Sequence, residues 1–490
     1  MKSIVITDRP ATWDKLQGVE VVSAKSYLTE PERFRARGLR CFNLCRSLRY
    51  QSTGYYVSLL AEARGHRPVP DVATIQDLKS MEIVRIRTGE LDATIQSSLA
   101  PIKADEFTLS IYFGKNLAQR HNHLAGRIHA LFHSPLMRAR FSRRKDGRWE
   151  LVSVRAIGDD DIPPEHSEFV FEAATAYFGR RFRPKVGKNT SYDLAILLDD
   201  QEEEPPSCEK AIARFVKAAK RQQMTPWIIG KDDYPELAEF DALFIRATTN
   251  VNHYTYRFAR RAASEGMLVI DDPLSILRCT NKVYLAELLA RHGVNAPPTM
   301  VVHKNNLDQI PERLGLPVVL KLPDSAFSLG VVRAETEAEL AEKADAMFER
   351  SELIVAQAFT PTAFDWRVGL FGGEPLWVCR YHMAPRHWQI VKGSQGGSRR
   401  WGKTDCLPVG DAPNKVISAA KRAAGLIGDG LYGVDLKELE NGKIIVIEIN
   451  DNPTIGAGDE DAVLGDGLYD ALMAGFKQRL DRLRGVGAAS

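Results

Sequence analysis

Apolar positions along the first part of the chain switch between two periods. Ile4, Val5 and Ile6, then Val19, Val21 and Val22, fall in strand-like runs, whereas Tyr56, Leu59, Leu60 and Ala63 recur at helical spacing across residues 52–65 until Gly65 ends them. Residues 114–133 place Leu117, Leu124, Ile128, Leu131 and Phe132 on one side of a second helix, with strands at 107–112 and 149–157 around it. This pattern predicts an α+β domain over residues 1–155. Residues 156–190 lose the periodicity. Asp159-Asp160-Asp161, Pro163-Pro164 and a basic run from Arg180 punctuate them, and a linker is expected there.

A different rhythm starts at Tyr192. Strands at 193–198, 227–229, 242–245 and 268–270 alternate with helices at 208–222 and 254–265, which predicts a parallel α/β sheet over residues 191–275. Beyond Asp271-Asp272-Pro273 come a helix at 281–292 closed by Gly293, strands at 299–302 and 317–322, and a helix at 335–350. Long strands follow from residue 353, then a glycine-rich basic stretch at 392–403, a helix at 412–427, and a final hairpin turning at Asn441-Gly442. The expected fold class is a multidomain α/β and α+β protein.

With 490 residues, 44% hydrophobic and 26% charged, the chain is long enough for about three domains and is neither wholly disordered nor collagen-like. No apolar run approaches the ~18 residues that cross a bilayer, and Asp8 and Arg9 break the N-terminal run too early for a signal peptide. Six cysteines do not make a disulfide scaffold, so a reduced, cytoplasmic setting is expected. The net charge of +3 is uneven: residues 1–190 carry 31 Lys+Arg against 21 Asp+Glu, and the remainder 35 against 42.

Candidate chemistry concentrates between residues 281 and 454. Glu448 and Asn450 are two apart on one strand, so both leave the same face. If Asp435 on the preceding strand faces the same side, three oxygen ligands converge, a set suited to Mg²⁺. The same residues also fit an edge strand with its polar side in water. Lys321 ends a buried strand before the small, polar loop 323–330, which is able to wrap phosphates with its backbone N–H groups; Lys282 starts a helix. Either lysine alone also fits a solvated surface. Arg367 and Arg380 are placed to hold negative charge developing on a transferring phosphoryl group, or are plain surface arginines.

Taken together, these segments resemble the ATP-grasp superfamily and, within it, the RimK-like amino-acid ligases. The resemblance covers about residues 190–484. It rests on Tyr256-Arg-Phe-Ala-Arg-Arg261 with Val269-Ile-Asp-Asp-Pro273, Asn281-Lys282 with Leu288-Leu-Ala-Arg-His-Gly293, Pro317-Val-Val-Leu-Lys321, Ile354-Val-Ala-Gln-Ala-Phe359, Asp365-Trp-Arg367, Gly433-Val-Asp435, and Glu448-Ile-Asn-Asp-Asn-Pro453, in that order. The resemblance implies a pre-grasp α/β domain at 191–275, a small lobe at 276–355 and a large lobe with the metal site at 356–484. It implies ATP-dependent carboxylate–amine ligation through an acylphosphate, joining an amino acid such as glutamate to a carboxylate-bearing peptide, protein or small molecule. Lys282 and Lys321 would contact ATP phosphates, with Lys392 assigned to the γ-phosphate. The hinge Gln357, Ala358 and Phe359 would meet adenine, and Asp365 the nucleotide. Asp435, Glu448 and Asn450 would bind Mg²⁺ or Mn²⁺, two ions in all. Arg367 and Arg380 would stabilise the acylphosphate.

Two departures stand out. Of the glycines usual in the family's phosphate loop only Gly330 remains, with Ser325 and Ser328 in place of others, and the hinge position that is often Glu is Ala358. The contrasting reading, an ATP-grasp-derived regulator or a nucleic-acid- or protein-binding module without turnover, is opposed by the intact Asp435, Glu448 and Asn450.

The front half, in Phe42-Asn-Leu-Cys-Arg-Ser-Leu-Arg-Tyr50 and the segment from Gly54 to His66, is similar to the extra N-terminal domain fused to some RimK-like ligases. Its basic run, Arg138, Arg140, Arg143, Arg144, Lys145 and Arg148, fits docking of an acidic partner, a nucleic-acid face or a solvated surface. His121 and His123, His129 and His133, and the pair Cys41 and Cys45 lack the further ligands a metal site requires and are expected to be structural. No membrane partner is expected, and self-association is compatible with the sequence.

Overall fold

A computed structural model describes residues 3–34, 39–81, 84, 88, 91–179, 192–324, 330–384, 387–394 and 397–483, with the side chains of 391–394 and 397–401 left out. The chain divides into two compact units, one holding residues 1–191 and the other the bulk of residues 192–480.

In the first unit, β1 (Ser3–Thr7), β2 (Glu20–Ser23), β3 (Arg40–Asn43) and β4 (Arg67–Val69) form a parallel sheet in the order β2-β1-β3-β4. The helix Thr53–Ala63 starts at an N-cap where the Ser52 hydroxyl accepts the Tyr55 N–H. A second sheet is antiparallel: β5 (Glu106–Tyr112), β6 (Leu136–Arg143) and β7 (Trp149–Ala156), covered by the helix Asn122–Phe132 through Leu124, Ile128 and Phe132. That helix is shorter than the periodicity predicted. Asn116 donates to the Ser110 carbonyl and its N–H bonds the Asn122 side chain, which holds 114–121 in turns.

The stretch expected as a linker contains the helix Ser167–Phe178, whose Val170, Ala173, Ala174, Tyr177 and Phe178 enter the core around Phe42 and Tyr112. It is part of the unit, because those residues repeat at helical spacing and bury a continuous stripe. Residues 180–191 of that stretch lie outside the described residues.

Most of the basic run has partners within its own domain. Arg143 lies over the Trp149 ring at 4.9 Å, Arg144 bonds Glu150 at 2.9 Å, Arg148 bonds Asp92, and Arg138 donates to the Asp161 carbonyl at 2.7 Å. His121 is buried and bonds the Ser98 hydroxyl at 3.0 Å; Cys41 and Cys45 are buried free thiols.

In the second unit, β8 (Tyr192–Leu197), β9 (Met224–Ile229), β10 (Ala242–Ile245) and β11 (Leu268–Ile270) form a parallel sheet in the order β11-β10-β8-β9. A four-stranded antiparallel sheet follows, order β12-β15-β13-β14: β12 (Thr299–Val302), β13 (Val318–Lys321), β14 (Val331–Ala334) and β15 (Ile354–Ala358). The third sheet runs β20-β17-β16-β21-β22, from β16 (Phe364–Phe371), β17 (Glu374–His382), β20 (Thr404–Leu407), β21 (Leu431–Glu438) and β22 (Ile444–Asp451); β18 (Val391–Ser394) and β19 (Gly397–Trp401) pair separately.

One face of the five-stranded sheet is apolar. Trp366, Val368, Val434, Leu436, Val446 and Ile449 pack on the helix Asn414–Ala424 through Val416, Ala420 and Ala423. The opposite face is polar at one end. At its other end Trp377, Cys379 and Tyr381 pack with the helix Asp466–Leu483. Cys379 is buried and bonded to Cys406 across the β17–β20 pair. Among the described residues no helix is long and apolar enough to cross a membrane.

Candidate functional site

Register decides which side chains meet. Across β16, β21 and β22, Arg367 stands opposite Asp435, Asp435 opposite Glu448, and Gly433 opposite Asn450. Paired residues share a face, so Arg367, Asp435, Glu448 and Asn450 converge on the polar side. Gly433 keeps that side open where the chains crowd, since a Cβ there would lie 2.8 Å from Pro453 and 3.1 Å from the Arg367 side chain.

Asp435 and Arg367 form a two-pronged ion pair, Nη2 to Oδ2 at 2.7 Å with Nε donating to Oδ1. Asn450 Nδ2 donates to Asp435 Oδ2 at 3.1 Å. Burial pushes the Asp435 carboxyl above the usual range, and Arg367 opposes that only in part. Asp365, two residues from Arg367 on the same face, accepts Lys437 Nζ at 2.5 Å and the Thr362 hydroxyl at 2.9 Å. Lys437 went unnoticed in the sequence, because only the pairing of β21 with β16 brings it to Asp365.

Lys282 arrives from a different element. The helix Lys282–Arg291 is capped by Asn281, whose side chain accepts the Tyr284 N–H at 3.0 Å. The Lys282 N–H donates to the Pro323 carbonyl at 2.9 Å and Asn281 Nδ2 to Asp324 at 2.9 Å, so the helix start is stapled to the segment after β13. The buried Lys282 side chain then reaches Glu448, Nζ to Oε1 at 3.0 Å. Burial alone would push the Glu448 carboxyl up, but Lys282, Lys321 and Arg367 outweigh it and hold it below the usual range. Burial lowers the Lys321 ammonium from its ordinary value, with Glu448 opposing.

Lys321 ends β13 on the face shared by Val355, Gln357 and Thr299, while Leu320 and Ala356 point the other way into a core with the helix Glu337–Phe348. That face, the apolar side of the helix Lys282–Arg291 and Glu448 enclose a cavity of 450 Å³, with Leu285, Leu289 and Ile447 as apolar walls and Lys282, Lys321 and Glu448 as charged lining. Gln357 Nε2 donates to Thr299 Oγ1 at 3.0 Å, and the Ala358 N–H is committed to the Pro298 carbonyl at 2.9 Å. The Phe359 ring lies under Arg333 at 4.8 Å and meets Trp388 edge-on. The loop after β13 is closed at its base by Leu322 N–H to Gly330 O, 2.9 Å, and Gly330 has a φ of +72° that other residues avoid. Ser325 and Ser328 lie outside the described residues.

One expected member does not join the cluster. Arg380 pairs with Trp366 in register and so leaves the opposite face of the sheet from Arg367. Its guanidinium lies over Phe364 at 5.6 Å. This corrects its expected role beside the acylphosphate, since a residue one step out of phase on a strand points away. Lys392 lies on β18 opposite Arg400; its side chain is not among those described.

The donor set fits Mg²⁺. Two carboxylates face each other across β21 and β22 with an amide beside them, few enough to leave room for water and phosphate oxygens. Asp435, Glu448 and the Asn450 side-chain oxygen would hold it.

Known proteins sharpen the picture. Residues 24–173 match the family described as "RimK-like ATPgrasp N-terminal domain". The chain is 26% identical over 260 residues to a probable alpha-L-glutamate ligase of Vibrio vulnificus strain YJ016, covering 51% of this chain and 82% of the relative. It is 29% identical over 223 residues to one of Thioalkalivibrio sulfidiphilus, covering 44% and 70%. Among solved structures it is similar to the D-alanine–D-alanine ligase of Bacillus anthracis, with TM-score 0.48, 15% identity and coverage of 60% of this chain and 99% of that one. It is also similar to a RimK domain ATP-grasp protein of Sphaerobacter thermophilus, with TM-score 0.43, 16% identity and coverage of 58% and 98%. The second unit places the parallel sheet ahead of the two antiparallel sheets.

Proposed function

We propose that this protein is an ATP-dependent carboxylate–amine ligase of the RimK-like type, with glutamate as its amino acid. The observation that carries the reading is the convergence of Lys282, Lys321 and Arg367 with Asp435, Glu448 and Asn450 beside one cavity. Phosphoryl transfer needs little beyond such positioning and charge stabilisation. The names of the sequence relatives support glutamate.

In this reading a substrate carboxylate oxygen attacks the γ-phosphorus of ATP. The bond to the β–γ bridging oxygen breaks and ADP leaves. An amine nitrogen then attacks the acyl carbon, the acyl C–O bond breaks, and phosphate and a proton are released. Lys282 and Lys321 hold phosphate oxygens. Arg367, anchored on Asp435 through one edge, presents its other edge to the transferring group. Asp435, Glu448 and the Asn450 side-chain oxygen would hold a Mg²⁺ ion, which would supply neutralisation of phosphate charge. The apolar wall of Leu285, Leu289 and Ile447 excludes water, which protects an acylphosphate from hydrolysis.

The test is phosphate release from MgATP with glutamate across a panel of carboxylate acceptors, with mass spectrometry of the products. A product heavier than its acceptor by one amide-linked glutamate is expected. Failure to bind ATP at millimolar concentration would overturn the reading at its root.

A further inference from the structure

Arg367 uses Nε and Nη2 on Asp435, and among the described residues Nη1 has no hydrogen-bond partner. A guanidinium held along one edge still rocks about that edge, and the direction of Nη1 depends on what lies against its plane. Here that is the Tyr381 ring, with the guanidinium carbon 5.0 Å from the ring centre. Tyr381 is on β17, two positions from Cys379, which pairs with Arg367. Its hydroxyl donates to Glu460 Oε1, and the other Glu460 oxygen accepts the Gly456 N–H at 2.7 Å. Glu460 is 3% exposed and Tyr381 9%. Burial keeps the phenol protonated, so Tyr381 is the donor.

Glu460 belongs to the segment after β22, and that segment is itself fixed. Fully buried Arg246 donates to Asn452 Oδ1 at 2.7 Å and to the Pro453 carbonyl at 2.9 Å. Asp461 accepts the Gly458 N–H at 2.7 Å and the Tyr469 hydroxyl at 2.8 Å. The chain of contacts therefore runs from a rigid segment through Glu460 and Tyr381 to the plane of Arg367. A buried glutamate and tyrosine next to a site arginine cost stability to desolvate, and an apolar pair would pack the same volume without that cost.

We propose that Tyr381 and Glu460 are positioning residues for phosphoryl transfer: they fix the plane of Arg367 so that Nη1 faces the transferring group. The proposal rests on the ligase reading for its chemistry. Tyr381→Phe keeps the ring and removes the anchor. It should lower kcat about tenfold to a hundredfold, the range a small misplacement of a catalytic group produces, while leaving the KM for ATP within about twofold. In an Arg367→Ala background the same change should cost almost nothing further, since a residue acting through Arg367 has nothing left to position. Glu460→Gln, which retains one acceptor oxygen, should fall between Tyr381→Phe and the unmodified protein; thermal melts identify any variant that fails to fold. If Arg367→Ala lowers kcat but Tyr381→Phe does not, or if Tyr381→Phe costs the same in both backgrounds, the positioning role is wrong and the ligase reading stands. If Arg367→Ala itself turns over at the original rate, the role of Arg367 falls, and the positioning proposal with it.

Discussion

Replacing Arg367 with Ala leaves Asp435 as a buried carboxylate without its counter-ion, and the size of the effect follows from the geometry. The two side chains are only 13% and 11% exposed. At 2.7 Å and an effective dielectric of ~20 their attraction is about 6 kcal/mol, set against several kcal/mol to desolvate each ion. Breaking such a pair from one side costs about 3–5 kcal/mol. For a unit of this size that lowers the melting temperature by roughly 6–20 °C. The Asp435 carboxyl is already raised by burial with Arg367 present, so without it the folded-state value rises further. A carboxyl whose folded value exceeds its unfolded one destabilises the fold at pH above both values. That penalty shrinks as pH falls through the folded value and vanishes below the unfolded one, at about 1.4 kcal/mol per unit of difference. The deficit of Arg367→Ala relative to the unmodified protein should therefore be largest near pH 8 and smaller near pH 5. Arg367→Ala with Asp435→Asn removes both charges and should recover most of the lost stability without recovering turnover. Differential scanning fluorimetry at both pH values reads all of this. An Arg367→Ala protein melting within about 2 °C of the original at pH 8, against the range just derived, or a double variant no more stable than the single, would refute the argument.

Glu448→Gln keeps the shape but removes the charge facing Lys282. It should stay folded and lose about a hundredfold or more in ATP turnover, measured by phosphate release, and undiminished turnover would remove Glu448 from the metal set. Lys282→Ala and Lys321→Ala should each weaken ATP binding by ~1.5–3 kcal/mol, roughly ten- to a hundredfold by calorimetry; unchanged affinity in both would place the nucleotide elsewhere. Arg380→Ala, on the far face of the sheet, should leave kcat within about twofold while Arg367→Ala does not, since the Arg380 side chain lies over Phe364 and away from the carboxylates. A large kcat loss in Arg380→Ala would contradict the register assigned to β17.

That Glu448 and Asn450 share a face was legible, because it rests on short-range rules, a period of two along β22 after a tight turn at Asn441-Gly442, where Gly442 takes a φ of +76°; that Asp435 joins them depends on a register shift between Asp435 and Leu436, which spacing does not show. Arg380 was misread for the complementary reason. Its face depends on the path from β16 to β17 through Gly372 and Gly373, both at positive φ, and on a register shift at Gly369 and Leu370. Neither leaves a mark in spacing. The helix Ser167–Phe178 hid behind Pro163-Pro164 and the acidic triplet, although its apolar residues keep helical period; turn signals were given too much weight against periodicity. Lys437, Tyr381 and Glu460 were beyond reach, since each matters only through a partner 72, 14 or 79 positions away. The pairing of the basic run is likewise invisible to spacing, since Arg148 meets Asp92, Arg138 meets Asp161 and Arg144 meets Glu150, and it leaves a face less open to an acidic partner than charge counting suggested.

In the proposed reading the site's charges keep the face stable and still able to take a nucleotide. Lys282 neutralises Glu448, Arg367 neutralises Asp435 and Lys437 neutralises Asp365, each cation coming from a different element than its acid. Lys321 lies within the influence of Glu448, Lys282 and Lys437. Buried carboxylates in such number would otherwise repel one another and the fold would lose by their desolvation. An incoming triphosphate with its divalent ion offers the acids a metal and the cations phosphate oxygens at the same time, so binding exchanges ion pairs rather than creating unpaired ones. Free triphosphate lacks half of that exchange: it attracts Lys282 away from Glu448 and leaves the carboxylate uncompensated. In the proposed reading a preference of this face for a metal-bound nucleotide would follow from where its acids and bases are rooted, before any contact to the adenine is considered.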